Sequence, residues 1–273
     1  MSKLALKLIK ENKRTRATFL DLGSCGEVPA EVVELVWLER LTLSRTQMSD
    51  LGPLSGLTAL QLLDVSGTQV SDLGPLSGLT ALQWLDVSDT QVIDLEPLSG
   101  LTALQTLYVS RTQVSDLGPL SGLTALQLLD VSGTQVSDLG PLSGLTVLQS
   151  LYAAHTQVSD LSPLTPLIGR GCPVRWSSET LRGPGIYVEY CPLTTPPPEI
   201  VKQGSDAIFN YFEERRRGGI DHLYEAKMLI LGEGGAGKTS LLRRLYEPDK
   251  PLPTEKETTK CQRRRESAPR RSV

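Results

Sequence analysis

Aromatic side chains are scarce in this chain: 273 residues hold three Trp, three Phe and seven Tyr, 5% in all. A globular core built around rings is therefore excluded, and the interior has to be assembled from leucine and valine. Cysteine is rarer still. Cys25, Cys172, Cys191 and Cys261 lie far apart, which excludes metal-ligand spacing and a disulfide framework and fits a reducing cytoplasm. The two histidines, His155 and His222, have no Ser or Cys partner at an informative spacing, so triad chemistry has no foothold. No apolar run is long enough to cross a bilayer. Residues 1–10 interleave lysines with apolar residues and lack the uninterrupted apolar stretch of a secretory signal, which predicts a capping helix over 1–16 and no membrane partner. Basic residues are missing from the middle. Between Leu41 and Thr165 eleven acids, among them Asp64, Asp86, Asp89 and Asp130, face only Arg45 and Arg111. A net charge of −3 thus hides an acidic middle between basic ends.

The middle repeats every 22 residues. Leu60 to Val70, LQLLDVSGTQV, recurs as Leu82 to Val92, Leu104 to Val114 and Leu126 to Val136, with looser copies from Leu38 and Leu148. A unit this short cannot enclose a core, so it must stack its apolar residues on those of its neighbours. Leu60, Leu63, Val65 and Val70 are expected inside, a short strand is expected around Leu63, and Gly74-Pro75 and Gly78 turn the chain back. The pattern resembles the leucine-rich repeat, with Thr68, Thr90, Thr112 and Thr134 where that family usually carries Asn. A threonine hydroxyl can serve the backbone inside the bend, with less hydrogen-bonding capacity than an amide. The resemblance implies an α/β solenoid over 17–190 with parallel strands on its concave face.

Alternation along a strand puts residues 62, 64 and 66 on the open side if Leu63 and Val65 are buried. Carried through the repeats, that face includes Arg40, Leu62, Asp64, Trp84, Asp86, Ser88, Thr106, Tyr108, Ser110, Leu128, Asp130, Ser150 and Tyr152. Asp64, Trp84, Asp86, Tyr108, Asp130 and Tyr152 are the candidate partner-binding residues, because aromatics ringed by acids suit a protein or peptide carrying basic groups. The competing reading is that near-identical repeats are recent duplicates and that the aromatics have drifted among neutral positions.

A second signal follows the repeats. Glu225 to Leu231 reads as a strand, Gly232-Glu233-Gly234-Gly235-Ala236-Gly237-Lys238-Thr239 matches G-x-x-x-x-G-K-[ST], and a helix is predicted from Ser240 to Tyr246. Glycines let successive backbone N–H groups curl around an anion, and a helix N-terminus adds favourable partial charge. Residues 232–240 are therefore candidates for holding a nucleotide. Lys238 would reach its outer phosphates and Thr239 would ligate Mg²⁺.

Repeats, then Cys191-Pro192-Leu193-Thr194-Thr195-Pro196-Pro197-Pro198 and a helix through Ala207 to Phe212, then the phosphate loop: this order resembles the Roco family, in which repeats precede a Ras-like GTPase domain called Roc. The resemblance implies a proline-rich linker and helix over 191–222, a partial P-loop GTPase domain over 223–259, GTP or GDP with Mg²⁺ as ligands, and Thr259 as a second Mg²⁺ contact. The chain departs from the family after Thr259, where 260–273 becomes an arginine-rich tail. The composition shift suggests a frameshift or early stop, with a genuine basic tail as the other reading. No guanine-reading N-K-x-D is present. Hydrolysis is expected to be lost, because no remaining residue can orient an attacking water. Two function classes result: the N-terminal part of a Roco-type GTP-binding protein, or a non-enzymatic interaction scaffold with an inert loop. Nucleic-acid binding by the tail is disfavoured, since no aromatic lies among its arginines to stack on bases.

Overall fold

The computed structural model describes residues 3–176 and 183–218. The phosphate loop at 232–240, Thr259 and the arginine-rich tail lie outside the described residues.

Nine short strands form one parallel sheet: β1 (Phe19–Asp21), β2 (Arg40–Thr42), β3 (Leu62–Asp64), β4 (Trp84–Asp86), β5 (Thr106–Tyr108), β6 (Leu128–Asp130), β7 (Ser150–Tyr152), β8 (Val174–Arg175) and β9 (Gly185–Tyr187). Each of the first six pairs with the next in sequence. The order at the end is β7-β9-β8, so β9 slips in beside β7 and β8 becomes the edge. The register keeps residues one repeat apart directly opposite one another, as in Leu63↔Leu85 and Asp64↔Asp86.

The middle residue of every three-residue strand is buried. Each full repeat buries seven aliphatic side chains; in one copy these are Leu60, Leu63, Val65, Val70, Leu73, Leu76 and Leu79, none more than 1% exposed. At roughly 1.5–3 kcal/mol for each fully buried aliphatic side chain, this stack supplies the main driving force for the solenoid. The return side of each repeat is a single 3₁₀ turn, such as Gly74–Leu76 with proline in its first turn. Asp72 two residues earlier accepts the Gly74 N–H at 2.7 Å through Oδ1. Glycine is not required there: Glu96 and Ser162 occupy the same place and make the same bond, to Asp94 and Asp160.

Two further columns close each bend. Thr46, Thr68, Thr90, Thr112, Thr134 and Thr156 are buried, and each Oγ1 donates to the carbonyl three residues earlier at 2.6–2.7 Å. The expected threonine role is therefore met by one donated bond per repeat. The preceding residue is left-handed in every repeat, with φ between 55° and 70°, but only Gly67 and Gly133 are glycines. Arg45, Asp89, Arg111 and His155 fill the other places, although a Cβ in this region costs about 1–2 kcal/mol.

Helix α1 (Lys3–Thr15) caps the N-terminal end, burying Ala5, Ile9 and Asn12. Asn12 Nδ2 donates to the carbonyls of Ala17 (3.0 Å) and Phe19 (3.1 Å), and its Oδ1 accepts from the Trp37 indole at 3.1 Å. At the other end α2 (Thr165–Ile168), α3 (Pro198–Val201) and α4 (Ser205–Gly218) complete the cap. The stretch read from sequence as a linker and one helix is split by Gly204, at φ +98°, into α3 and α4. Its described part packs onto the same core through Cys191, Leu193, Val201, Ile208 and Phe212. The Phe209 ring fills the space beside Gly169, where an added Cβ would come within 2.7 Å of it.

Candidate recognition face

Strand pairing sets the residues flanking each buried strand centre in two columns. One runs Arg40, Leu62, Trp84, Thr106, Leu128, Ser150. The other runs Thr42, Asp64, Asp86, Tyr108, Asp130, Tyr152, Tyr187. Five of the six residues singled out from sequence thus stand on consecutive rungs of a single column, and Trp84 stands in the column beside them. Trp84 and Tyr108 lie on adjacent rungs with ring centroids 5.6 Å apart and tilted by 55°.

The carboxylates on this face are pre-oriented. Oδ1 of Asp64, Asp86 and Asp130 accepts the backbone N–H of Ser66, Ser88 and Ser132 respectively at 2.8–2.9 Å. No cation pairs with any of the three among the described residues. Burial pushes the Asp86 carboxyl above its ordinary range; the two bonds from Ser88 oppose that, and the charges of Asp64 and Asp130 add to it. The Tyr108 hydroxyl is also pushed up, first by burial and then by Asp130 and Asp86. The carboxylates therefore concentrate negative charge on the face, within reach of the Arg111 charge.

Three serines differ from the alternation. Ser88, Ser110 and Ser150, expected on the open side, are buried. Ser110 donates its hydroxyl to Ser88 at 3.0 Å, a bond between rungs that short side chains can make without reaching solvent. Tyr187, which the sequence places in the C-terminal cap, is only 2% exposed. It lies beside Tyr152 because β9 pairs with β7, and the two rings stack at 4.6 Å with 9° between planes. The break in the repeat after Leu161 hides that neighbour.

Two cations of the repeats, Arg45 and Arg111, stand in the left-handed column, while Arg40 begins an outer strand column. Arg111 forms a bidentate ion pair with Asp89 one rung away, which holds the Asp89 carboxyl below its usual range. His155 stacks on Tyr190 at 4.5 Å, and Tyr190 is 68% exposed. Among the described residues no group of His, Cys, Asp and Glu is arranged to hold a metal ion. Cys25, Cys172 and Cys191 carry free thiols, and no described helix is long and apolar enough to cross a membrane.

A parallel sheet of one three-residue strand per 22-residue coil, with 3₁₀ turns on its back, defines a solenoid of leucine-rich type. A family model described as leucine-rich repeats (two copies) matches residues 80–122, so the chain carries leucine-rich repeats. It is similar to internalin C2 of Listeria monocytogenes, with 38% identity and a TM-score of 0.54 over 55% of this chain and 67% of that one. An internalin (inlF) from the same organism matches at 28% identity and a TM-score of 0.56, over 59% of this chain and 48% of that one. A Dictyostelium discoideum protein named probable serine/threonine-protein kinase pats1 is 41% identical over 58 residues, which is 21% of this chain and 2% of that protein.

Proposed function

We propose that the solenoid recognises a protein segment on its strand face, and that the chain is the recognition part of a Roco-type GTP-binding protein. The observation that carries the first half is the strand face itself: three part-exposed aromatic rings, Trp84, Tyr108 and Tyr152, and three pre-oriented carboxylates without an ion-pair partner among the described residues lie in two adjacent columns. Large rigid rings supply contact area at low entropic cost, and they dominate interface energetics. Selection of binders from a displayed random peptide library against the full chain tests this. Binders are expected to lose affinity for Trp84→Ala and Tyr108→Ala and to keep it for Ser99→Ala on the return side. Binders insensitive to both ring substitutions would contradict the assignment of the face.

The second half rests on the G-x-x-x-x-G-K-T pattern at 232–239 and the repeats and helices that precede it in sequence. Residues 232–240 would take GTP or GDP, with Thr239 and Thr259 on Mg²⁺. Saturable binding of a fluorescent guanine nucleotide, lost in Lys238→Ala and resistant to ATP, supports this reading. Absence of binding in a cooperatively folded chain leaves the alternative, a non-enzymatic scaffold with an inert loop. The chemistry of residues 260–273 favours neither.

A further inference from the structure

We infer that the strand face takes a segment in the polyproline II conformation carrying Arg or Lys at every third residue, the basic groups seated over Asp86 and Asp130 with Tyr108 between them. This deepens the recognition reading above and rests on it.

The argument is one of matching periods. Asp86 and Asp130 are two rungs apart with Tyr108 on the rung between, so about 9–10 Å separates them at the usual spacing of neighbouring strands. A segment crossing the rungs must offer a basic group at that interval, on one side. A fully extended strand fails, because its side chains alternate and residues three apart point to opposite faces. A helix meets that interval on one face only after seven residues, about 10.5 Å, whereas three residues along it advance only about 4.5 Å, so a three-residue spacing sets a helix apart. Polyproline II has three residues per turn and about 3.1 Å rise, so every third side chain returns to the same face after about 9.3 Å.

Charge and shape agree with that course. Each carboxylate is fixed through Oδ1 and forms no ion pair with a described cation; Arg111 feels the charge of both but is bonded to Asp89 instead. A guanidinium over Asp130 would lie between the rings of Tyr108 and Tyr152, and one over Asp86 beside those of Trp84 and Tyr108, giving each cation a carboxylate and an aromatic face. Prolines between the basic residues would meet the same rings, which is how aromatic-lined grooves hold such segments elsewhere.

Synthetic proline-rich peptides titrated into the full chain decide the matter. One carries two arginines three residues apart, others place them two or four apart, and a fourth replaces both by Glu at the three-residue spacing. The spacing of three is expected to bind about tenfold more tightly than the other two, with no binding of the Glu peptide and with affinity falling as salt rises. Asp86→Asn and Asp130→Asn should each weaken it by about tenfold while keeping the bonds to Ser88 and Ser132. Equal affinity at all three spacings, or binding insensitive to both Asn variants, overturns the inference. If no synthetic peptide binds but library-selected binders still require Trp84 and Tyr108, the spacing rule falls and the recognition face stands. If those binders too ignore the rings, both fall.

Discussion

Replacing Asn12 by alanine tests the N-terminal cap in isolation. Asn12 is 4% exposed and makes three hydrogen bonds that no other residue can replace: two donated to the carbonyls of Ala17 and Phe19, one accepted from the Trp37 indole. Each such bond contributes about 1 kcal/mol net, and groups left unpaired away from water cost about 1–3 kcal/mol each. Asn12→Ala should therefore destabilise the cap by about 3 kcal/mol. Asn12→Asp, which keeps the acceptor for Trp37 and loses both donors, should cost about 2 kcal/mol or more. Since each coil touches only its neighbours, the loss should concentrate at that end. Hydrogen exchange of the full chain reads this directly. The Leu22 amide, bonded to the Thr42 carbonyl, should lose protection, while the Val109 amide, bonded to the Asp130 carbonyl, should not. A change below about 0.5 kcal/mol at Leu22, or equal loss at both amides, would refute the view that a side-chain amide seals the edge strand.

Other outcomes follow from single positions. Asp86 has a raised carboxyl, so its ionisation opposes folding: the stability it permits is present below the ordinary aspartate range and is lost as pH rises through its elevated value. Asp86→Asn should therefore raise stability at neutral pH and change little in acid, read by urea unfolding at both, even as it weakens partner binding. Gly67→Ala at φ +66°, with Arg45 Cγ 3.3 Å from the new carbon, should lose about 1–2 kcal/mol. Gly78→Ala, with open space around it, should gain about 0.4–1 kcal/mol, and equal signs for the pair would contradict the left-handed assignment. Gly169→Ala drives a carbon into the Phe209 ring and should cost about 1–3 kcal/mol in chemical denaturation. No loss there would mean that α4 does not pack on the solenoid end.

What could be read from sequence follows from how strictly the repeat is obeyed. Leu63, Val65 and their equivalents announce the buried column because nothing interrupts the 22-residue period between Leu38 and Leu161, and the outward rungs then follow by alternation. The left-handed column was hidden because Arg45, Asp89, Arg111 and His155 stand where only Gly67 and Gly133 advertise the bend; the rest of each coil over-determines the turn and imposes its strain on whichever residue is there. The Tyr187 stack was hidden for the opposite reason: past Leu161 the period fails, and no local pattern says that β9 rather than β8 sits beside β7. Ser88 and Ser110 illustrate a limit of alternation itself, since it ranks faces and not depth. The linker and helix read over 191–222 hold two helices, because Gly204 takes a backbone angle that ends one helix and lets Ser205 begin the next, with Ser205 Oγ also accepting the Val174 N–H at 2.9 Å.

The most direct test of the recognition face is site-specific photocrosslinking of a library-selected binder to the full chain. A benzophenone side chain is placed in turn at Thr106, between Trp84 and Leu128 on the strand face, and at Ser99 on the return side. Crosslinking from position 106 and none from 99 is the predicted result. Crosslinking from 99 with none from 106 would contradict the central claim that this solenoid binds through its aromatic and acidic columns.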